Sequence, residues 1–180
     1  MTKTALITGA SSGIGRGIAH KFGKEGWEVT LIARRIENLE SVAKEVEKAG
    51  GKAHIFATDL TKEGNPESAI EFGIEKMGQI GTLVNNAGMG RFEMVPDIKD
   101  ESFQEQFQLN VWACMATVRS VVPHFKKNGG GQIINIGSIV GYLGISKGSI
   151  YSSTKWALRG LNESWREELY PDNIKVCYVG

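Results

Sequence analysis

The sequence predicts an α/β domain built on a doubly wound, three-layer arrangement of parallel strands. Short apolar runs rich in valine and isoleucine alternate with longer stretches of helical periodicity along the 180 residues. Several of the short runs are apolar at consecutive positions, which is typical of parallel strands covered by helices on both faces. Hydrophobic residues make up 41% of the chain and the net charge is +1, so the composition favours a folded domain over a disordered segment.

The apolar runs and helical stretches follow one another in a regular order. Strands are expected at Thr4–Thr8, Glu28–Ala33, Lys52–Ala57, Thr82–Asn85, Gln132–Ile136 and Lys175–Val179. Helices are expected between them, at Gly13–Glu25, Ile36–Ala49, Pro66–Met77, Glu101–Lys126 and Tyr151–Leu169. This alternation predicts βαβ units with right-handed crossovers, and the chain length suits one domain rather than two.

Charge and cysteine usage argue against several classes of protein. Acidic and basic residues are interspersed without a basic face, which disfavours nucleic acid as a partner. No apolar run approaches the roughly 18 residues of a membrane span, and the N-terminus shows no signal-peptide pattern. Cys114 and Cys177 fit neither a metal-binding motif nor a disulfide framework, so we expect two buried, reduced thiols in a cytoplasmic protein.

The turn after the first strand has the pattern of a phosphate-binding loop. Thr8-Gly9-Ala10-Ser11-Ser12-Gly13-Ile14-Gly15 joins the end of a strand to the start of a helix. A helix N-terminus offers free backbone N–H groups and the positive end of the dipole, and glycines keep side chains away from an approaching pyrophosphate. The alternative is a glycine-rich turn that only packs the helix against the strand.

The spacing Thr-Gly-x-x-x-Gly-Ile-Gly resembles the short-chain dehydrogenase/reductase family in its common single-domain branch, and the resemblance runs from Thr8 to Val179. It implies a Rossmann fold with strand order 3-2-1-4-5-6 and a dinucleotide on the loop. Members of this branch usually add a seventh strand and a substrate lid after the sixth strand. We therefore expect residues 1–180 to form a single cofactor-binding domain that lacks both, with an incomplete substrate pocket. The loop residues expected to contact the cofactor are Gly9, Ser11, Ser12, Gly13, Ile14 and Gly15.

Two arginines at the end of the second strand indicate the choice of cofactor. Dinucleotide folds usually place an acid there for the ribose 2′-hydroxyl, whereas this sequence has Ala33-Arg34-Arg35. A guanidinium suits a 2′-phosphate by its charge and its paired N–H donors. We therefore predict NADP(H), with Arg34 as the first contact, Arg35 beside it and Ser11 as a further contact. Solvated surface charge is the alternative for the arginines.

Two further turns at strand ends match the family. The family resemblance implies that Asp59 and Leu60, after the third strand, contact the adenine, although Asp-Leu-Thr alone is equally typical of a helix cap. Asn85-Asn86-Ala87-Gly88 matches the family's turn after the fourth strand, so Asn86, Ala87 and Gly88 are expected at the cofactor. A structural role in steadying the sheet is the alternative for this turn.

Ser138, Tyr151 and Lys155 form a candidate chemical centre. Tyrosine and lysine four positions apart in a helix share a face, and an ammonium near a phenol favours the phenolate. A serine hydroxyl can then hold a substrate oxygen and stabilise charge on it. The family resemblance implies that Tyr151 is the general acid/base, that Lys155 also holds the nicotinamide ribose and that no metal is needed.

Asn110 would complete the family's tetrad by holding a water in the proton relay. It interrupts a stripe that is otherwise apolar, where a polar group needs a partner; an amide that caps a helix kink is the alternative.

The expected function is an NADP(H)-dependent oxidoreductase that interconverts a carbonyl and an alcohol. The alternative is a catalytically silent dinucleotide-binding sensor or scaffold. A sugar-nucleotide epimerase is disfavoured because its loop is spaced differently.

The expected partners are a small-molecule substrate and further copies of the chain. Apolar residues after Ser138 predict a partly apolar substrate: Val140, Tyr142, Leu143 and Ile145. The helices Glu101–Lys126 and Tyr151–Leu169 carry more apolar residues than one contact with a sheet needs, among them Trp112, Met115, Val118, Trp156 and Trp165. In the family the two corresponding helices meet their copies across a two-fold axis, so we expect a homodimer or homotetramer.

Overall fold

A computed structural model describes residues 2–180, and its centre is one sheet of six parallel strands. The strands are β1 (Thr4–Thr8), β2 (Glu28–Ala33), β3 (Lys52–Ala57), β4 (Thr82–Asn85), β5 (Gly131–Ile136) and β6 (Ile174–Val179). Their order across the sheet is β3-β2-β1-β4-β5-β6. The chain therefore starts in the middle of the sheet, builds outward to β3 and returns to build from β4 to β6. This confirms the predicted doubly wound order and places a crevice beyond the carboxyl ends of β1 and β4.

Helices cover both faces of the sheet. They are α1 (Gly13–Lys24), α2 (Ile36–Lys48), α3 (Asn65–Met77), α4 (Asp100–Phe107), α5 (Ala113–Lys127) and α6 (Ser149–Leu169). Helices α1 and α2 pack on one face with Ile7 and Leu31, while α3, α5 and α6 pack on the other with Leu6 and Ile32. Neighbouring strand residues thus enter opposite cores, which explains why these strands are apolar at consecutive positions. No helix within residues 2–180 is both long and apolar enough to cross a membrane.

The helix expected at Glu101–Lys126 is not continuous. A π-helical turn at Gln108–Trp112 separates α4 from α5, and the Ala113 N–H donates to the Gln108 carbonyl five residues earlier. One extra residue in a turn shifts the helix faces by about 100°. Phe103, expected on the buried stripe, is accordingly about half exposed, whereas Val121 and Phe125 after the π-turn are buried.

The expectation of two buried thiols is wrong for Cys177. Cys114 is buried, and its burial raises the pKa of the thiol to about 12. Cys177 is exposed because side chains alternate along β6. Ile174 and Val176 join the core with α6, so Cys177 points to the opposite face, where the core formed with α1 and α2 extends as far as β5 but includes no residue of β6.

The expected surplus of exposed apolar residues on the last two helices is also partly wrong. Trp165 and Val118 belong to the core, while Trp112 and Met115 are half-buried against it. Trp156 remains about half exposed. Sequence periodicity assigns a residue to a face, but the sheet and neighbouring helices decide how wide the covered face is.

A chain of buried amides connects the sheet to the helices under the crevice. Asn85 Nδ2 donates to Asn135 Oδ1 at 3.0 Å, and Asn135 Nδ2 donates to Asn162 Oδ1 at 3.0 Å. The Thr117 hydroxyl donates to Asn85 Oδ1 at 2.8 Å. These bonds join β4 and β5 to α5 and α6 through side chains that are each at most 5% exposed. Because unsatisfied groups at this depth would be costly, the chain fixes how these elements sit on one another.

Candidate active site

A cleft of about 1050 Å³ lies along the carboxyl ends of the strands. Most of the residues singled out in the sequence line it: Gly9, Ser11, Ser12, Ile14, Arg34, Arg35, Asp59, Leu60, Asn86, Ala87, Gly88, Tyr151 and Lys155. Gly13, Gly15, Asn110 and Ser138 are not part of this lining. The cleft therefore brings the phosphate loop, the arginine pair and the Tyr-Lys pair to one continuous surface, large enough for an extended ligand.

The phosphate loop is tied to the turn after β4 by one threonine and one asparagine. The Thr8 Oγ1 accepts hydrogen bonds from the backbone N–H groups of Asn86 and Ala87, both at 3.0 Å. In return, Asn86 Nδ2 donates to the carbonyls of Thr8 and Gly9 at 3.0 and 3.1 Å. The ends of β1 and β4 are thereby held in one position, and the Asn-Asn-Ala-Gly turn has the structural role that was the alternative for it.

The loop glycines have two different tasks. A Cβ at Gly9 would lie 2.8 Å from the Ala87 Cα, and one at Gly15 would lie 2.5 Å from Asn86 Nδ2, so these two glycines permit close packing. Gly13 has a φ of +55° and nothing within 4 Å of an added Cβ. Its position is left-handed and open, which leaves space for a ligand directly before the first turn of α1.

The N-terminus of α1 suits an anion. Ser12 is the N-cap residue, and its hydroxyl makes no capping bond to the helix. The first turn of α1 carries no acidic residue, and Ile14 is 65% exposed above it. Free N–H donors, an uncommitted hydroxyl and the helix dipole are the groups that bind a pyrophosphate, so the residues present fit a dinucleotide.

The arginine pair and Asp59 lie at one end of the cleft. Arg34 and Arg35 are exposed, and Arg35 stands at the N-cap position of α2. Burial alone would raise the pKa of Asp59, but hydrogen bonds from Thr61 and the positive charges of Arg34 and Lys62 outweigh it and lower the pKa. Asp59 is thus a carboxylate at neutral pH, close enough to Arg34 for their charges to interact.

Asp59 does not cap a helix. Its Oδ1 accepts from the Thr61 N–H at 3.0 Å and from the Thr61 hydroxyl at 2.8 Å, which closes a tight turn after β3. Helix α3 begins only at Asn65, so the helix-cap interpretation of Asp-Leu-Thr is wrong. Leu60 is 5% exposed, yet it reaches the cleft wall and offers an apolar surface to a flat ring there.

Tyr151 and Lys155 share one face of α6, as their spacing predicts. The Lys155 Nζ lies 5.8 Å from the centre of the Tyr151 ring and donates to the Ile136 carbonyl at 3.0 Å. Lys155 is only 5% exposed, and burial lowers the pKa of its ammonium. Phe92 packs edge-on against Tyr151 at 5.7 Å between ring centres. The phenol therefore has a buried cation and an aromatic side chain as neighbours and lines the cleft.

Asn110 anchors the segment after β4 to the helix that follows. Its Oδ1 accepts from the Met89 N–H at 2.8 Å, and its Nδ2 donates to the Met89 carbonyl at 2.7 Å and to the Thr154 hydroxyl at 3.0 Å. Asn110 is in the middle of the π-turn and is buried. Its amide thus lies at a helix distortion but bonds to Met89 and Thr154 rather than to the backbone of the π-turn, so it does not cap the kink, and the water-holding role stays a prediction.

Ser138 lies immediately after β5, beside the lining residue Gly137. Its Oγ accepts from the Val140 N–H at 3.4 Å, while Tyr178 Oη lies against both of its backbone polar groups. No sequence pattern singles out Tyr178, because a tyrosine is common in any strand. Thr154 was missed for a similar reason, and Thr8, although it opens the loop motif, was assigned no role because its partners after β4 are not visible in the sequence.

Two segments near these residues carry exposed apolar side chains, one after β4 and one after Ser138. Six of the side chains are between 41% and 62% exposed: Phe92, Met94, Ile139, Tyr142, Leu143 and Ile145. The last four belong to the segment after Ser138 in which an apolar wall was expected, whereas Val140 turns inward and is buried. Phe92 and Met94 come from the segment after β4 and were not anticipated.

Comparisons with known proteins agree with this arrangement. A family model described as short chain dehydrogenase matches residues 3–180. The 3-oxoacyl-[acyl-carrier-protein] reductase of Thermotoga maritima is 35% identical over 179 residues, which cover 98% of this chain and 72% of the relative. A metagenomic short-chain oxidoreductase solved with NADP has a TM-score of 0.94 at 34% identity, with 99% of this chain and 81% of that chain covered. An NAD⁺-bound xylitol dehydrogenase also has a TM-score of 0.94, at 28% identity, with 98% and 69% covered.

The burial of Lys155 predicts a cost in stability. Lys155→Met keeps the volume but removes a buried charge, so we expect the ligand-free variant to be more stable by about 1 kcal/mol at neutral pH. Because burial lowers the pKa of Lys155, the ammonium loses its proton in the folded state before the unfolded one. The advantage of the variant should therefore shrink as the pH rises through that lowered pKa.

Urea denaturation at several pH values measures this difference. Lys44→Met, at an exposed position on α2, is the control and should change the free energy of unfolding by less than about 0.5 kcal/mol. If Lys155→Met were less stable at neutral pH, the bond to the Ile136 carbonyl would outweigh the cost of burying the charge.

Proposed function

Since the chain belongs to the short-chain dehydrogenase family, whose model matches residues 3–180, we propose that it is an NADP(H)-dependent oxidoreductase interconverting a carbonyl and an alcohol. One observation carries the proposal: Tyr151 and Lys155 line the same cleft as the phosphate loop and Arg34. A cofactor bound along that cleft would have its phosphates at one part of the lining and its reactive end at another. A binding module without chemistry has no need of a phenol beside a buried lysine.

Each part of the lining has a proposed role toward the cofactor. The loop from Gly9 to Gly15 binds the pyrophosphate, with Ser12 donating from the start of α1. Arg34, assisted by Arg35 and Ser11, binds the 2′-phosphate. The adenine lies against Asp59 and Leu60, the turn formed by Asn86, Ala87 and Gly88 lies along the remainder, and Lys155 holds the nicotinamide ribose.

The catalytic roles follow from the side chains at the other part of the cleft. When bound, the nicotinamide supplies a hydride to the carbonyl carbon or accepts one from the alcohol. The Tyr151 hydroxyl gives a proton to the substrate oxygen in reduction and takes it back in oxidation. Lys155 stabilises the phenolate by its charge, Ser138 donates to the substrate oxygen, and Asn110 supports the relay that resupplies the proton.

The surroundings of this centre point to the class of substrate. Exposed apolar side chains lie on two segments, Phe92 with Met94 and Ile139 with Leu143, and Phe92 packs against Tyr151. Burial of such residues by a ligand is favourable by about 25 cal/mol per Å². We propose a small substrate with an apolar portion, handled in the cytoplasm, where the buried thiol of Cys114 stays reduced.

The assembly is proposed to be a homodimer or homotetramer. Trp156 and Gly160 are exposed on one face of α6, and an added Cβ at Gly160 would meet nothing within 4 Å. A self-complementary patch of this kind suits a two-fold axis, the commonest symmetry in homo-oligomers. Trp165, which was expected to contribute to the contact, does not belong to this patch because it is buried in the core.

The arginine pair predicts the preferred cofactor. NADPH should bind at least about tenfold more tightly than NADH, which corresponds to about 1.4 kcal/mol. Arg34→Asp should remove or reverse this preference, because it replaces a phosphate-binding cation with an anion. Fluorescence titration of both cofactors measures the two Kd values. Arg166→Asp, which makes the same charge change on α6 outside the cleft lining, is the control, and equal Kd values in the unmutated protein would refute the NADP(H) assignment.

The Tyr151 hydroxyl is the proposed proton donor. Tyr151→Phe should lower kcat by at least about 100-fold, the scale of general acid–base catalysis, while the Kd of NADPH changes by less than about twofold. NADPH absorbance with a panel of apolar ketones measures turnover. Tyr170→Phe, at an 80% exposed position, should leave the rate unchanged. If Tyr151→Phe kept most of its kcat, the mechanism would be wrong.

The open face of α6 predicts how the assembly can be broken. The protein should be at least dimeric at micromolar concentration, and Gly160→Glu should shift it to a monomer by placing a charge in the contact. Size exclusion with light scattering measures the mass. Gly17→Glu on α1 is a matched control, because an added Cβ there also meets nothing within 4 Å. A monodisperse monomer before any mutation would contradict the proposal.

A further inference from the structure

We propose that Tyr178, on β6, is a positioning residue for Ser138 and that it acts by holding the short segment from which the Ser138 hydroxyl reaches the substrate oxygen. The consequence for catalysis rests on the function proposed above. The placement of Tyr178 itself rests on contacts that are independent of any ligand. Tyr178 is not itself part of the cleft lining, and the lining residue that it contacts, Gly137, directly precedes Ser138, so we expect its effect to pass through the Ser138 segment.

The space for the Tyr178 ring is made by glycines. A Cβ at Gly137 would lie 2.5 Å from the Tyr178 Cε1 and would overlap the end of the ring. A Cβ at Gly141 would overlap the Tyr178 hydroxyl, and a Cβ at Gly180 would lie 2.8 Å from Cε1. Gly137 and Gly141 bracket Ser138 and the short helical turn after it, so the backbone around Ser138 lies directly on the aromatic ring.

The Tyr178 hydroxyl bonds to both backbone polar groups of Ser138. The Ser138 N–H donates to Tyr178 Oη at 3.3 Å, and Tyr178 Oη donates to the Ser138 carbonyl at 3.4 Å. Each bond is long and therefore weak, but together they span the peptide units on both sides of the Ser138 Cα. Ser138 has an extended backbone, with φ −173° and ψ 158°, and fixing it directs the Oγ.

The Tyr178 ring also contacts a second aromatic side chain. Tyr142 packs edge-on against Tyr178 at 6.0 Å between ring centres, and the Arg159 guanidinium lies 4.2 Å from the centre of the Tyr142 ring. Burial raises the pKa of Tyr178 above that of an ordinary phenol, so the hydroxyl stays a neutral donor at neutral and mildly alkaline pH. Tyr178 is therefore a fixed support rather than a second acid/base.

A double-mutant cycle with Ser138 separates positioning from general damage. Tyr178→Phe keeps the ring and removes the two weak bonds, so kcat/KM for a ketone should fall roughly three- to tenfold. The Kd of NADPH should change by less than about twofold, because the cofactor does not depend on Ser138. In a Ser138→Ala background, Tyr178→Phe should have no further effect on kcat/KM, since the hydroxyl that it positions is gone. Tyr170→Phe is the matched control and should leave kcat/KM unchanged.

A second experiment tests the placement without any turnover. Gly141→Ala should lower the Tm, because the new methyl group collides with the Tyr178 hydroxyl, and Tyr178→Phe should restore most of that loss. Gly144→Ala is the control: an added Cβ there meets nothing within 4 Å, so Tyr178→Phe should give the same change in Tm with or without it.

The outcomes distinguish this proposal from the function on which it rests. If Tyr178→Phe lowers kcat/KM equally with and without the Ser138 hydroxyl, Tyr178 does not act through Ser138 and the proposal is overturned. If the unmutated protein reduces no ketone, the proposed function fails, and the Tm experiment alone decides the placement. Failure of Tyr178→Phe to rescue Gly141→Ala would overturn the placement and with it the positioning role.

Discussion

The contact between the end of β1 and the turn after β4 is the constraint on which the site depends. Four hydrogen bonds join Thr8 and Gly9 to Asn86 and Ala87 there, and Gly9 and Gly15 allow the backbones to approach without side chains between them. The phosphate loop and the turn after β4 are therefore parts of one rigid junction. If these bonds broke, the N–H groups of the loop would no longer point toward a bound anion, and the turn after β4 would no longer be held at the cleft.

The same kind of contact recurs at two of the proposed catalytic residues, where a side chain is held by backbone atoms of a neighbouring segment. Lys155 is bonded to the Ile136 carbonyl at the end of β5, and Asn110 is bonded to both polar atoms of the Met89 backbone. Backbone atoms at strand ends have positions set by the register of the sheet. The geometry of the site therefore depends on β4 and β5. These strands are held together by their backbone pairing and by the hydrogen bond between the buried side chains of Asn85 and Asn135.

The fold was predictable because it depends on the regular spacing of apolar residues, and this spacing is visible in the sequence itself. The six strands fall within one residue of the expected bounds, and the phosphate loop, Arg34, Tyr151 and Lys155 meet at one cleft as their motifs imply. What could not be predicted depends on contacts across the chain. Asn110 marks the site of the π-turn in the sequence, but its bonds to Met89 join two segments and are not visible there. The exposure of Cys177 likewise depends on how far the helices extend over the sheet.

The two glycines near Ser138 show how a contact with a distant part of the chain can be mistaken in the sequence for an ordinary turn. Gly137 and Gly141 read in sequence as turn residues, yet neither has a positive φ, so conformational freedom does not account for either of them. Their small size is explained instead by the Tyr178 ring, which arrives from a strand about 40 positions later and fills the space that their side chains would need. In the proposal above, Tyr178 has no part in the chemistry but sets the position of Ser138, which has. The match between the glycines on one segment and the tyrosine on the other becomes visible only when the two segments are folded together.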